Sequence, residues 1–264
     1  MKCRLNILSK NRSSSILDLV KINELLIYKT IGASNNSIER HVKLMADFFL
    51  EMHVHTSEVS PCAFICAEKV VEIYKAEGYN GIVITDHMCN HTFKNIANST
   101  WEDKVNYFLQ GYRLAKHSSG NDFSIMLGME ICFSAETNDY LVYGIDEEFL
   151  YHNENMISMG LRNFKKLAEE YGLLVFQAHP FRKGMHISDY RLLDGIEVYN
   201  GNSSHNSSND IAMAWADKYS LNKISGSDFH CYFGMHPGGI YFMKEIKTNA
   251  ELLEALRENK YKLR

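Results

Sequence analysis

Short apolar runs alternate with helix-like stretches along residues 49–264, and most of the apolar runs end on polar residues. FFLEMHVH reads as a strand. Cys62 to Glu77 carries apolar residues at the 3.6-residue spacing of a helix and stops at Gly78. GIVITDH is a β-branched run with a polar tip. Residues 101–117 predict a helix, FSIMLGMEICF a strand, and YLVYGI a second strand able to pair with it. A helix over Glu154–Tyr171 stops at Gly172. Strands LLVFQAHP and GIEVYN, a helix over Asn209–Tyr219, strands KISGSDFH and GGIYFM, and a helix over Asn249–Asn259 complete the series. Such alternation predicts right-handed βαβ units around a mainly parallel sheet. About seven units over about 215 residues favour a closed α/β barrel, in which functional residues stand at the C-terminal ends of the strands.

Residues 1–48 break this pattern. Polar clusters NRSSS and SNNS surround LDLVKINELLIY, which predicts one helix, and a second is expected from about Ser37 to Phe48. The extension carries no evident chemistry, and Met45 is a candidate for the true start; N-terminal sequencing of native protein tests this.

Composition narrows the classes. An apolar content of 45% in 264 residues supports a large core, and a net charge of −4 without a long basic run gives no electrostatic footing for nucleic acid or an anionic membrane. No stretch approaches the roughly 20 apolar residues of a membrane span. The start MKCRLNILSKNRSSS lacks the apolar core of a secretory signal, so a cytoplasmic location is expected. Six cysteines without a CxxC pair favour reduced thiols that pack rather than react. Twelve histidines are the unusual count, and their positions give it meaning.

His53 and His55, two apart on a strand, point to one face. Asp228 and His230 repeat that spacing in SGSDFH. His87 ends GIVITDH, with Asp86 expected to point away and support a ligand rather than be one. Glu130 is a carboxylate inside an apolar strand, which is rare unless it is paired or metal-bound. His179 ends LLVFQAHP, where Pro180 stops the strand. Seven such residues at five strand ends predict a mixed imidazole and carboxylate cluster, suited to zinc, manganese or iron rather than calcium.

In order, HVHT, TDH, GME, AHP and GSDFH resemble the motif series of the PHP (polymerase and histidinol phosphatase) superfamily over about residues 50–264. The resemblance implies a distorted (β/α)7 TIM-like barrel, two or three divalent ions, and phosphoester hydrolysis. It implies metal ligands at His53, His55, His87, Glu130, His179, Asp228 and His230, with Glu130 bridging. Many members carry Asp or His five or six residues after the second motif histidine; here Ser60 and Pro61 stand there, with Glu58 and Cys62 near. Many also have a histidine in the strand after the glutamate motif, where this chain has Tyr140. Two ions are therefore preferred to three.

Paired ions offset the repulsion between hydroxide and a phosphate dianion and activate water. Arg182, directly after HP in HPFRKG, is the candidate to grip phosphate oxygens, with Lys183 and His186 as weaker ones. Arg182 and Asp228 are taken as catalytic, and Arg182 and His205 as substrate-binding. Asn200 and His205 are expected to contact substrate or to cap the helix that starts near Asn209, with Asn209 itself favouring a cap. Glu197 is expected to support a ligand. The expected partner is a small phosphorylated metabolite, nucleotide or short oligonucleotide. The alternatives are a phosphotyrosine-protein phosphatase and a non-catalytic metal-bound module.

Overall fold

The structure is a computed structural model and describes residues 48–233 and 236–264; the expected helices of the N-terminal extension and the Met45 start lie outside them. Residues Phe48–Arg264 form one compact unit. Its sheet is built from β1 (Phe48–Val54), β2 (Gly81–Ile84), β4 (Ser124–Cys132), β5 (Asp139–Tyr143), β6 (Leu174–Gln177), β7 (Gly195–Asn200) and β8 (Asn222–Gly226), hydrogen-bonded in that order. The ring closes where the segment after β8 returns to β1. There His55 N donates to Phe229 O at 3.1 Å and Phe229 N donates to His53 O at 3.2 Å. The result is a nearly closed, barrel-shaped α/β sheet, as expected.

The distortion has a defined origin. β5 runs antiparallel to both β4 and β6, while the remaining neighbours in the ring are parallel. YLVYGI thus pairs with the preceding strand as its sequence suggests, and its reversal brings the start of β5, Asp139, to the rim where the other strands end. A two-residue strand, β3 (His87–Met88), sits beside β4 with His87 opposite Glu130. β9 (Ile240–Phe242) lies antiparallel on the start of β1, and β10 (Tyr261–Leu263), which carries no strong strand signal of its own, adds to it.

The helices pack their apolar faces on this sheet. α1 (Ala67–Ala76) buries Ala67, Val70, Val71 and Tyr74. It begins five residues later than its periodicity suggests, because Ser60–Cys62 is folded back into a turn and Glu58 accepts the first helical N–H, that of Ala67, at 3.1 Å. The single helix expected over 101–117 is two: α2 (Trp101–Phe108), capped by Thr100, and α3 (Gln110–Ser118). The bend at Leu109 lets α3 press Gly111 against the sheet end, where an added Cβ would lie 2.0 Å from Thr56 Oγ1. The helix expected over Glu154–Tyr171 begins later, at Gly160, after a 3-10 turn at Met156–Ser158. α4 (Glu147–His152) precedes it, and α5 (Gly160–Glu170) starts at a glycine with φ +69°, a conformation that interrupts a helix. α6 (Asn209–Tyr219) and α7 (Asn249–Glu258) match expectation, α7 with a Thr248/Glu251 capping box. No helix among the described residues is long and apolar enough to cross a membrane.

Candidate metal centre

The rim formed by these strand ends collects the histidines. His53, in β1, and His55, just past its end, project to one side, with their Nε2 atoms 3.1 Å apart. Both are fully buried. Their tautomers are fixed from behind. His53 Nδ1 faces Glu197 Oε1 at 2.9 Å, and a carboxylate only accepts, so Nδ1 carries the proton and Nε2 keeps a lone pair for the centre. His55 Nδ1 lies 3.2 Å from Ser60 Oγ. Ser60 donates its own proton to Asp86 Oδ1 at 2.7 Å, so His55 is the donor to Ser60 and its Nε2 also faces inward. Asp86 further accepts Thr56 N and Thr56 Oγ1 at 2.7 and 2.6 Å. It is therefore the supporting group that the sequence suggested.

Glu130 stands among the imidazoles. Its Oε1 is 3.1 Å from His179 Nε2 and 3.5 Å from His53 Nε2, whereas Oε2 is 2.9 Å from His87 Nδ1 and 3.3 Å from His55 Nε2. Each oxygen thus addresses a different pair of histidines. Asp228 Oδ1 lies 3.4 and 3.3 Å from the Nε2 atoms of His53 and His55, and Oδ2 lies 3.4 Å from His205. His179 and Asp228 have φ of +27° and +51°, a strained conformation for side-chain-bearing residues. The strand suggested by SGSDFH therefore ends early, at Gly226, and Asp228 and His230 meet through a turn in which His230 Nδ1 donates to Asp228 O at 2.9 Å.

The charges are strongly coupled. Burial opposes a charge on His53, yet the carboxylates of Asp228, Glu197 and Glu130 hold its pKa well above the usual imidazole value. Burial would raise Glu130, but His53, His87 and a hydrogen bond from His179 hold it well below the carboxylate range. Asp228 is held down in the same way, against burial, by His53, His205 and His230. Carboxylates placed so as to raise the pKa of a buried imidazole favour positive charge at this rim. The donor chemistry agrees: three groups, His53/His55/Glu130, Glu130/Asp139/His179 and His55/His87/His230, converge closely enough to hold a divalent ion. The fit is reinforced by Glu130 Oε2 and His179 Nδ1, both buried without a hydrogen-bond partner.

All seven ligand candidates meet at this rim, and His205 joins them through Asp228. Arg182 donates to Asp139 Oδ2 at 3.1 Å and is partly exposed at the mouth. Lys183 and His186 are exposed, and His186 contributes only backbone contacts to Asn138 and Gln177. Asn209 is not a cap: its side chain clamps the backbone of Asn200 with two hydrogen bonds, at 3.0 and 3.1 Å. Asn200 in turn donates to Glu197 and Asp228. Tyr140 faces away from the centre, bonded to Glu136 and Ser188.

Four participants have no assigned role in the sequence reading, although Ser60 and Cys62 are noted there beside the HVHT motif. Asp139, the first residue of β5, reaches His179 at 3.8 Å. Its signal is a carboxylate opening the apolar run DYLVY. Ser60 locks His55, as described. Glu51, fully buried, accepts the N–H groups of Met52, His53 and Ser227 at 2.7–3.1 Å. Burial, only partly offset by those bonds, pushes its pKa up to about 7. Cys62 lies 3.1 Å from His230 Nε2. Burial alone would raise the thiol pKa, but hydrogen bonds with His230 and His87 bring it down to about 5.

A family model described as PHP-associated matches residues 206–261. No curated protein sequence matches the chain. Among solved structures, the chain is similar to a two-domain protein of Bacteroides vulgatus containing a predicted PHP-like metal-dependent phosphoesterase, with TM-score 0.63, 15% identity, and 83% of this chain covered. It spans 65% of that protein's length, less than two thirds. It is also similar to PsfC of Pseudomonas syringae, with TM-score 0.58 and 16% identity over 78% of this chain and 88% of the other. A third likeness is to the lesion-specific endonuclease EndoQ of Pyrococcus furiosus, with TM-score 0.58 and 15% identity over 82% of this chain and 57% of the other. The family match is confined to the C-terminal part of the chain, and the likeness to these solved structures is one of fold.

Proposed function

We propose that the chain is a metal-dependent phosphoesterase that hydrolyses a small phosphorylated metabolite or nucleotide. The observation that carries this reading is Glu130, which stands in two donor groups of a buried site, one with His53 and His55 and one with Asp139 and His179. That arrangement suits a carboxylate shared between ions. His53, His55 and Asp228 would hold one ion, and His179 and Asp139 a second across Glu130, with His87 and His230 at the outer edge. Zinc, manganese or iron suits these donors. When bound, the ions lower the pKa of a water and offset phosphate charge.

The chain's own residues have separate tasks. Neutral imidazole donors would add no negative charge to bound ions, so the filled centre would attract a phosphate dianion. Glu197 and Ser60 hold His53 and His55 in the tautomer that leaves Nε2 free. Arg182, at the mouth beside Asp139, is the group to grip non-bridging oxygens, and His205 flanks the same opening beside Asp228. The reading puts the enzyme in the cytoplasm, in keeping with the free thiols of Cys62, Cys66, Cys89, Cys132 and Cys231.

The test is turnover of an aryl phosphomonoester, an aryl phosphodiester and a nucleoside monophosphate, each with added zinc or manganese. Metal-dependent release of phosphate or phenol supports the proposal. Stoichiometric metal without turnover of any ester would instead favour an ion-bound module without catalysis.

A further inference from the structure

Cys62 has no task in the reading above, yet it faces the centre. It lies in the turn after β1, beside Pro61 and two residues beyond the Ser60 that locks His55. Its Sγ is 3.1 Å from His230 Nε2. His230 commits Nδ1–H to the carbonyl of Asp228 at 2.9 Å, which leaves the Nε2 lone pair directed at the sulfur. His87 lies in the same cluster, and its Nδ1 is 2.9 Å from Glu130 Oε2. Despite that close approach, the buried oxygen accepts no aligned hydrogen bond.

The third imidazole of the cluster, His55, is engaged elsewhere. Its Nδ1 serves Ser60, and its Nε2 lies within 3.3 Å of His53, Glu130 and Asp228. One nitrogen lone pair serves one ion, so His87, His230 and Cys62 remain together at the outer edge. Neighbouring sulfur and nitrogen donors of a tetrahedral zinc stand about 3.6 Å apart, from Zn–S and Zn–N bonds of about 2.3 and 2.0 Å. The observed 3.1 Å separation is reached from there by a small side-chain rotation.

We propose that Cys62 is a thiolate ligand of a further divalent ion, held together with His87 and His230, and that its sulfur biases this position towards zinc. The inference rests on the metal-dependent reading of the site. It supplies the donor that Ser60 and Pro61 do not, and it raises the expected number of ions from two to three. On loading, the proton shared between the Cys62 sulfur and His230 Nε2 passes to solvent and each atom uses its freed lone pair for the bond, so binding releases one proton at this pair. A soft thiolate disfavours magnesium, calcium and manganese there.

The test uses the full chain loaded with cobalt(II) in place of zinc. The parent should show sulfur-to-cobalt charge-transfer absorption in the near ultraviolet. Cys62→Ser and Cys62→Ala should lose that band and about one equivalent of bound metal by dialysis and mass spectrometry. A second measurement needs no variant. In the zinc-loaded parent, alkylation mapped by peptide mass spectrometry should spare Cys62, and chelation should expose it. Bound metal with no thiolate band, or a band and stoichiometry unchanged in Cys62→Ser, overturns the assignment and leaves the rest of the centre intact. A parent that binds no metal overturns the whole reading.

Discussion

Replacing Glu197 with glutamine changes one atom and reverses a hydrogen-bonding role. Three donors converge on this buried carboxylate, each at 2.9 Å: His53 Nδ1, the backbone N–H of His179 and the side-chain amide of Asn200. A carboxylate accepts all three; an amide has one acceptor oxygen and one NH2. If the oxygen faces His53, the NH2 meets the donors of His179 and Asn200. If the NH2 faces His53, the imidazole must move its proton to Nε2 and can no longer ligate. Either orientation loses at least one charge-assisted hydrogen bond, about 1.5–3 kcal/mol. That range matches the 10–100-fold loss of metal affinity typical when a group behind a ligating histidine is altered. Competition with a chelating indicator on parent and Glu197→Gln measures it directly. Circular dichroism separates weakened binding from unfolding. A folded variant that holds its metal as tightly as the parent refutes the tautomer argument.

Three further outcomes are expected. Arg182→Ala should retain the metal content of the parent while kcat/KM for a phosphomonoester falls about 10–100-fold, the scale of a charge-assisted phosphate contact; unchanged kinetics would remove Arg182 from the substrate. Glu51 has a pKa raised from 4.5 to about 7, so its folded state binds the proton more tightly than the unfolded chain. Its contribution to stability is present below pH 4.5 and is lost as pH rises through about 7, a change of roughly 3 kcal/mol at 1.4 kcal/mol per unit. Urea unfolding of chelated protein should therefore show the parent losing that amount relative to Glu51→Gln between pH 4.5 and 8, and parallel pH profiles would contradict it. Gly111→Ala should lower stability by about 1–3 kcal/mol, because its Cβ intrudes on Thr56 and Asp86, behind His55; an unchanged Tm would show that α3 can withdraw at no cost.

Much of the site was legible because strand periodicity and residue chemistry coincide. His53 and His55 share a face by the period of two, and Glu130 is conspicuous in an apolar strand. The parallel order of the barrel follows from the alternation of elements. Asp139 was hidden by the reversal of β5. The rule that parallel strands place function at their ends directs attention to Gly144, whereas the antiparallel strand presents its start. Cys62 was hidden because its partner His230 is distant in sequence, and the helix period around it suggested packing. Gly111, next to the bend at Leu109, and Gly160, at the late start of α5, are local signs, but only the contacts of Gly111 show what its missing side chain permits. The spacing of Asp228 and His230 gave the right neighbours with the wrong backbone, since a left-handed residue can reproduce by a turn what a strand achieves by pleat.

The closure of the ring gives the centre a second role. The first strand and the segment after the last touch through the paired amides of His53–His55 and Phe229, with Ser227 reaching His53 across 174 residues of chain. His53 and His55 stand on one side of this junction, and Asp228 and His230 on the other. A chelated ion there would act as a clasp. A cross-link over a loop of that length removes about 5 kcal/mol of conformational freedom from the unfolded chain. The last hydrogen bonds of the barrel would then tighten when the centre fills. The amides of His55 and Phe229 become reporters of occupancy: their hydrogen exchange should slow with metal concentration, while amides at the far pole of the barrel respond only through global stability.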